Sequence, residues 1–276
     1  MGENFQDHGA VSASYSTAPG LPDRGELGRN QTYAAEQLAL FWEKGEGAYT
    51  VAAGNHAAFL PLPIISPRAP ELIAAAEAAD PAEYLRAGTH EDVVRGFAAQ
   101  RKLLLANFAT NNSAVDEQVN TLASVQKPLS RGWVELVSTD PWQNPLVSYN
   151  TLSNPFDVKV LTEGIRFIRA LMASPGMQAL EPREFAPGAA VADDDVAMER
   201  WIRQGASASF AHAAGATKMG EREEGAVVDA KLRVYGVKGL RIVDAGVMPT
   251  IPATHLTHTV YAVAEKAADL IKEGGN

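Results

Sequence analysis

"GLRIVDAGVMPTIPATHLTHTVYAVAEKAADLI", residues 239–271, is the stretch whose reading decides the fold. It opens on an apolar run of strand type, Leu240–Val243, that ends in Asp244 and Ala245. A turn rich in Pro and Thr follows, then His255 and His258, then a helix with apolar residues at helical spacing. A strand that ends this way and feeds a helix start suits the holding of a dinucleotide. The 276 residues contain no G-x-G-x-x-G loop to bind the other half of such a ligand. The stretch reads as the end of a nucleotide site without its beginning.

Composition narrows the rest. With 46% hydrophobic and 21% charged residues the chain is of ordinary globular type, with ample material for a core. A net charge of −9, from 24 basic and 33 acidic residues, argues against nucleic acid or an anionic membrane as partner. There is no cysteine, which removes disulfides, thiolate nucleophiles and Cys-ligated metals. The N-terminus "MGENFQDHGAVSASYS" has neither the basic nor the apolar region of a secretory signal. The longest apolar runs, such as "AAFLPLPII" at 57–65, are too short and too rich in Pro to span a bilayer. The expectation is a soluble, cytoplasmic protein.

Upstream, a short strand is expected near Val11–Tyr15, a helix over Tyr33–Lys44, and a strand before Pro61 and Pro63 that those prolines confine to an edge. Two strong helices follow, over 69–88 and 89–108, the second opening at Thr89 with acidic residues in its first turn. "QVNTLASVQ" (118–126), "RGWVELVST" (131–139) and "NPLVSYN" (144–150) read as adjacent antiparallel strands. A helix starts near Pro155, with Val158, Leu161, Ile165, Ile168 and Leu171 on one face. "DDDVAMERWIRQGAS" (193–207) begins another on three aspartates that suit the positive end of its dipole. The fold class is α+β, an antiparallel sheet with surrounding helices. Two regions are expected within it, 1–205 and 206–276.

Six histidines are present, and His212 and His255 stand out by their settings. His212 lies in "SFAHAAGATKMG", where small residues let backbone approach a ligand closely. His255 stands at the head of the last helix, where a neutral imidazole can serve as a base. Two histidines facing one pocket can divide proton transfer between them. His255 and His258, three apart, share a helix face. No third ligand is apparent, so no metal is expected. His8 and His56 lie in loops whose roles the sequence does not give, and no G-x-S-x-G elbow supports a serine nucleophile.

These residues carry a resemblance to the C-terminal half of the glucose–methanol–choline (GMC) oxidoreductases, a family of flavin-dependent alcohol oxidases and dehydrogenases. "GENFQDH" at 2–8 resembles the family's mid-chain GENLQDH segment. Residues 39–63 and 130–172 resemble its substrate-domain stretches, and "AHAAGATKMG" with 225–271 its C-terminal signature. The resemblance implies the substrate-binding domain plus the C-terminal part of the flavin domain. It implies that His212 is the catalytic base and His255 the second active-site position. Asp244 and Ala245 would approach the flavin pyrophosphate and ribityl chain, and Thr257 and His258 would line the flavin ring. In the family the base takes the alcohol's hydroxyl proton while hydride passes from the carbinol carbon to flavin N5.

The departures count too. The family's chain is roughly twice as long, and its N-terminal half holds ADP. Ala213, Ala216 and Thr217 stand where Pro, Thr and Cys are usual. The leading expectation is therefore a truncated, flavin-independent enzyme without cofactor. It would use His212 and His255 for acid–base chemistry (isomerisation, dehydration or cyclisation) on an apolar small molecule. The alternatives are one half of a split FAD-dependent alcohol oxidase, with FAD bound only when an ADP-binding partner chain completes the site, and a non-catalytic binding protein. An exposed edge at Leu240–Val243 predicts a homo-oligomer. The pocket wall is expected from Trp133–Val137, Val147–Tyr149 and Asn55–Phe59.

Overall fold

The run from Ala114 to Val125 doubles back at Asn120, which takes the left-handed conformation (φ 56°) that a tight reversal demands. The hairpin so formed is the centre of the fold. In the computed structural model, which describes residues 2–18, 23–51, 56–189, 191 and 193–274, the chain order is β1 (Ala10–Ser12), β2 (Ser14–Ser16), α1 (Gln31–Lys44), β3 (Ala58–Pro61), α2 (Leu62–Ile65), α3 (Ala69–Ala78), α4 (Glu91–Phe108), β4 (Ala114–Val119), β5 (Leu122–Val125), β6 (Trp133–Glu135), β7 (Leu146–Ser148), α5 (Pro155–Met172), α6 (Pro175–Gln178), β8 (Arg183–Ala186), α7 (Asp195–Gly205) and α8 (Thr257–Glu273). The main sheet is antiparallel in the order β1-β5-β4-β3. Two smaller antiparallel pairs, β2 with β8 and β6 with β7, lie outside it. The class is α+β. Among the described residues no helix is long and apolar enough to cross a membrane.

Both faces of β4 are covered. Successive side chains of a strand point to opposite faces, so Asp116 and Gln118 share one face and Glu117 the other. The first face meets α5, where a Cβ on Gly164 would come within 2.9 Å of the Ala123 side chain; glycine there lets helix and sheet close together. Asn154 caps α5 by accepting from the Phe156 amide, and Val158, Leu161, Ile165 and Ile168 are fully buried behind the sheet. The opposite face carries Glu117, with Phe59 of β3 as its register partner, and it is the face the site occupies.

Phe108, at the end of α4, is fully buried and stacks on Phe156 with ring centroids 5.4 Å apart. Phe108→Ala leaves a cavity under both helices and should cost about 3–5 kcal/mol. Urea unfolding of parent and variant checks this, and a loss below about 1 kcal/mol would mean that the core closes over the gap.

Several sequence expectations are corrected. Residues 118–126 are a turn and a strand of a hairpin rather than one strand, and β6 and β7 form a separate pair. The helix expected over 69–88 stops at Ala78, before the Asp80-Pro81 pair. The helix after it starts at Glu91, capped by the His90 side chain rather than at Thr89. Leu240–Val243 is not a strand. Among the described residues its backbone bonds run only to 232–234, through Ile242 N–H to the Leu232 carbonyl (3.1 Å), Val234 N–H to the Leu240 carbonyl (3.0 Å) and the isolated bridge of Arg241 with Arg233. A strand needs a continuous ladder, and this segment has a loop beside it instead.

Candidate active site

Three segments distant in sequence meet on the Glu117 face of the sheet. The N-terminal segment bonds to 214 and 132 through Gln6 and Phe5, and this brings residues 7 and 8 beside the loop at 209–212. Asp7 organises that loop. Its Oδ1 accepts from the amides of His8 (2.7 Å), His212 (3.1 Å) and Phe210 (3.3 Å), and its Oδ2 accepts from the Ser209 hydroxyl (2.6 Å). Ala211 is held in the left-handed region (φ 63°) by its amide bond to Ser209 Oγ. The loop is thus tied on both sides of His212.

The third segment, 248–256, is held by side chains from elsewhere. Asn4, Gln6 and Gln100 each donate to the Pro249 carbonyl, and Gln6 Oε1 accepts from the Ile251 amide. Beneath them the buried Arg131 bonds Asn4 and Gln100 and lies 5.0 Å from the Phe97 ring. His255 follows. It precedes the start of α8 rather than sharing a helical face with His258, because the Pro-rich segment delays the helix to Thr257.

The rings of His212 and His255 lie 5.2 Å apart, so the structure brings the two sequence-predicted histidines together. His255 Nε2 donates to Glu117 Oε1 at 2.7 Å, and Glu117 also accepts from Gln126. That carboxylate fixes the proton of His255 on Nε2. Behind His212, its Nδ1 lies 2.9 Å from Nδ1 of the fully buried His8. Burial chiefly, and the neighbouring His255 next, hold His212 below the usual histidine range. Burial, followed by nearby His212, lowers His8 to about 3. Both rings are therefore neutral near pH 7. Phe59 and Phe210 flank the pair, with centroids 6.1 Å from His255 and 5.7 Å from His212.

Next to His212 an open groove of about 560 Å³ is lined by Ala211, Ala213, Ala245, Leu256, Thr257, Val260 and Tyr261. Four of its lining residues are alanines, Ala264 being the fourth. The start of α8 borders it with no side-chain cap, which leaves amide donors at the positive end of that helix. These features fit the flat ring of a flavin: alanines for its face and amide donors for an electron-rich edge. Asp244 caps the Gly246 amide at 2.7 Å, while Ala245 and Thr257 line the groove. His258 is exposed and is not among the residues that line it. Trp133 and Tyr149, expected in the wall, contact Arg86 and Phe5 instead. Asn55 lies outside the described residues.

Asp7, His8 and Glu117 were not legible as site residues. Their partners lie 138 to 205 positions away; the "GENFQDH" motif marked the segment of Asp7 and His8 but not what they contact, and Glu117 carried no such mark.

Known proteins resemble this chain over nearly its whole length. A sequence model described as GMC oxidoreductase matches residues 128–264. A curated relative, "Dehydrogenase xptC" of Emericella nidulans, is 30% identical over 99% of this chain and 45% of its own length. Among solved structures, a FAD-dependent oxidoreductase from Chaetomium thermophilum is 33% identical with a TM-score of 0.91, covering 99% of this chain and 48% of that one. A fungal aryl-alcohol oxidase is 36% identical with a TM-score of 0.84 over the same shares. The chain spans about half the length of the relatives it matches.

Proposed function

The chain belongs to the GMC oxidoreductase family, and from that membership we propose that it supplies the substrate side of a flavin-dependent alcohol oxidation. His212 is the proton acceptor in this reading. The FAD-binding half is supplied by the same polypeptide or by another. The observation that carries the proposal is the pair of imidazoles, 5.2 Å apart, set beside a groove whose alanine-rich lining and uncapped helix start suit a flavin ring.

The chemistry divides between two acceptors. An alcohol with its carbinol carbon over the groove delivers its hydroxyl proton to Nε2 of His212, a neutral nitrogen that makes no hydrogen bond among the described residues. FAD, when bound, supplies the acceptor for the hydride that leaves the same carbon, and the product is an aldehyde or ketone. His255, fixed through Nε2 by Glu117, bounds the other side of the substrate position, its ring 5.2 Å from that of His212. Ala245, Thr257 and the first amides of α8 would hold the flavin, with Asp244 keeping the turn between them. Phe59 and Phe210 favour an apolar or aromatic group on the alcohol.

Cofactor-independent acid–base catalysis by the same histidines is the competing reading. It is favoured by the completeness of the histidine cluster within this chain. Proton transfer of that kind works best in a site closed to water. Here the His255 side chain is 53% exposed and Tyr261, on the groove wall, is 69% exposed. Val237, Leu240 and Val243 also expose apolar surface on the C-terminal segment. Such a face suits coverage by a further half-enzyme, or by a second copy of the chain. The test mixes a benzylic alcohol with the FAD-bearing protein in the absence of oxygen. Bleaching of the visible flavin bands with one aldehyde formed per flavin is expected. Turnover of a substrate by this chain without FAD would favour the competing reading.

A further inference from the structure

His8, the last residue of the "GENFQDH" segment, has no part in the chemistry above. It is fully buried, its ring is nearly perpendicular to that of His212 (78°), and the two Nδ1 atoms are 2.9 Å apart. At that separation one proton must lie between the two nitrogens. Two lone pairs would repel, and two N–H groups would clash. The pair therefore has two arrangements, and they have opposite consequences for the face of His212 beside the groove.

In the first, His8 carries the proton on Nδ1 and donates it. Its Nε2 would then be a bare lone pair in a buried place where no donor reaches it. His212 would have to carry its own proton on Nε2 and could not act as a base there. In the second, His212 donates from Nδ1 and His8 carries its proton on Nε2. With Nδ1 engaged by His212, Nε2 is the nitrogen left to the carbonyls of Gln126 and Pro252, which act on the ring as acceptors although neither forms a full hydrogen bond to that nitrogen. A buried N–H near two carbonyls is better placed than a buried lone pair near them. The second arrangement leaves Nε2 of His212 bare.

We infer that His8 is a positioning residue, a buried imidazole that accepts the Nδ1 proton of His212 and thereby fixes the tautomer in which Nε2 of His212 is the free base. This rests on the reading of His212 as the proton acceptor. When Nε2 takes a proton, the bond to His8 persists unchanged, since Nδ1–H still donates. His8 is held in turn by Asp7, whose carboxylate accepts from the backbone amides of both histidines, so one residue sets the height of both rings.

Long-range ¹H–¹⁵N correlation spectra of the imidazole nitrogens, recorded on this protein near neutral pH without flavin or alcohol, test the inference. The expected spectrum shows His212 with a protonated Nδ1 and a bare Nε2. In His8→Leu the acceptor is gone, and His212 should move to the Nε2–H tautomer that free histidine prefers. In His8→Gln the amide oxygen can accept from Nδ1, and the parent tautomer should be kept. An Nε2–H signal for His212 in the parent, or an unchanged tautomer in a folded His8→Leu, would overturn the assignment. Should His8→Leu fail to fold, the parent and His8→Gln spectra still decide it. The spectrum needs no turnover, so a failure of alcohol oxidation leaves this result standing, and the reverse also holds.

Discussion

His212→Ala should slow alcohol-dependent flavin reduction by roughly 10²- to 10⁴-fold, the range typical of a positioned general base, while the protein stays folded. Among the described residues the His212 side chain contributes no hydrogen bond besides that to His8, and the loop around it is held through its amide by Asp7. Removing the imidazole thus deletes the proton acceptor and leaves the backbone that carried it. The loss should fall on the rate of reduction at saturating alcohol rather than on substrate affinity, because the proton moves only in the transition state. Rapid-mixing kinetics of parent and variant, with circular dichroism to show that both are folded, make the comparison. A variant that bleaches its flavin at the parent rate would remove His212 from the chemistry.

The second large effect concerns stability and pH. Burial lowers the folded-state pKa of His8 to about 3, against 6.5 for an unperturbed histidine. Between those values the unfolded chain binds a proton that the folded chain refuses. The stability this group confers is complete above about pH 6.5 and is lost as pH falls toward 3, at about 1.4 kcal/mol per pH unit and on the order of 5 kcal/mol in all.

Asp116 acts in the opposite sense. Burial against α5 raises it to about 8, so the folded chain keeps a proton that the unfolded chain releases, and stability falls as pH rises from about 4 to about 8. Each contribution is isolated by difference. Relative to His8→Gln, the parent should lose stability as pH drops below 6.5. Relative to Asp116→Asn, it should lose stability as pH rises above 4. Urea unfolding across this range reads both slopes, and a His8→Gln difference that is flat with pH would show that His8 titrates as an exposed histidine does.

What the sequence made legible was local. The helix from Pro155 could be placed because Val158, Leu161, Ile165 and Ile168 repeat at helical spacing and Pro155 marks its start; all four are buried. Pro61 foretold an edge strand, and β3 is an edge. His212 and His255 could be picked out because small residues and a helix start surround them. Non-local facts were not legible. Glu117 looks like one more polar residue in a half-polar strand until the fold sets it 2.7 Å from His255, 138 positions later. Asp7 and His8 sit in a segment without secondary structure, and only the tertiary arrangement shows that they hold His212. Leu240–Val243 misled for the converse reason: its composition is that of a strand, but a strand exists only where a neighbour offers a full ladder.

The measurement that bears most directly on the proposed role is anaerobic single turnover of the FAD-bearing protein with benzyl alcohol, protiated and deuterated at the carbinol carbon. The visible flavin bands should bleach, more slowly with the deuterated alcohol, with one aldehyde formed per flavin. A flavin that stays oxidised, while this chain alone transforms a substrate through its histidines, would contradict the assignment.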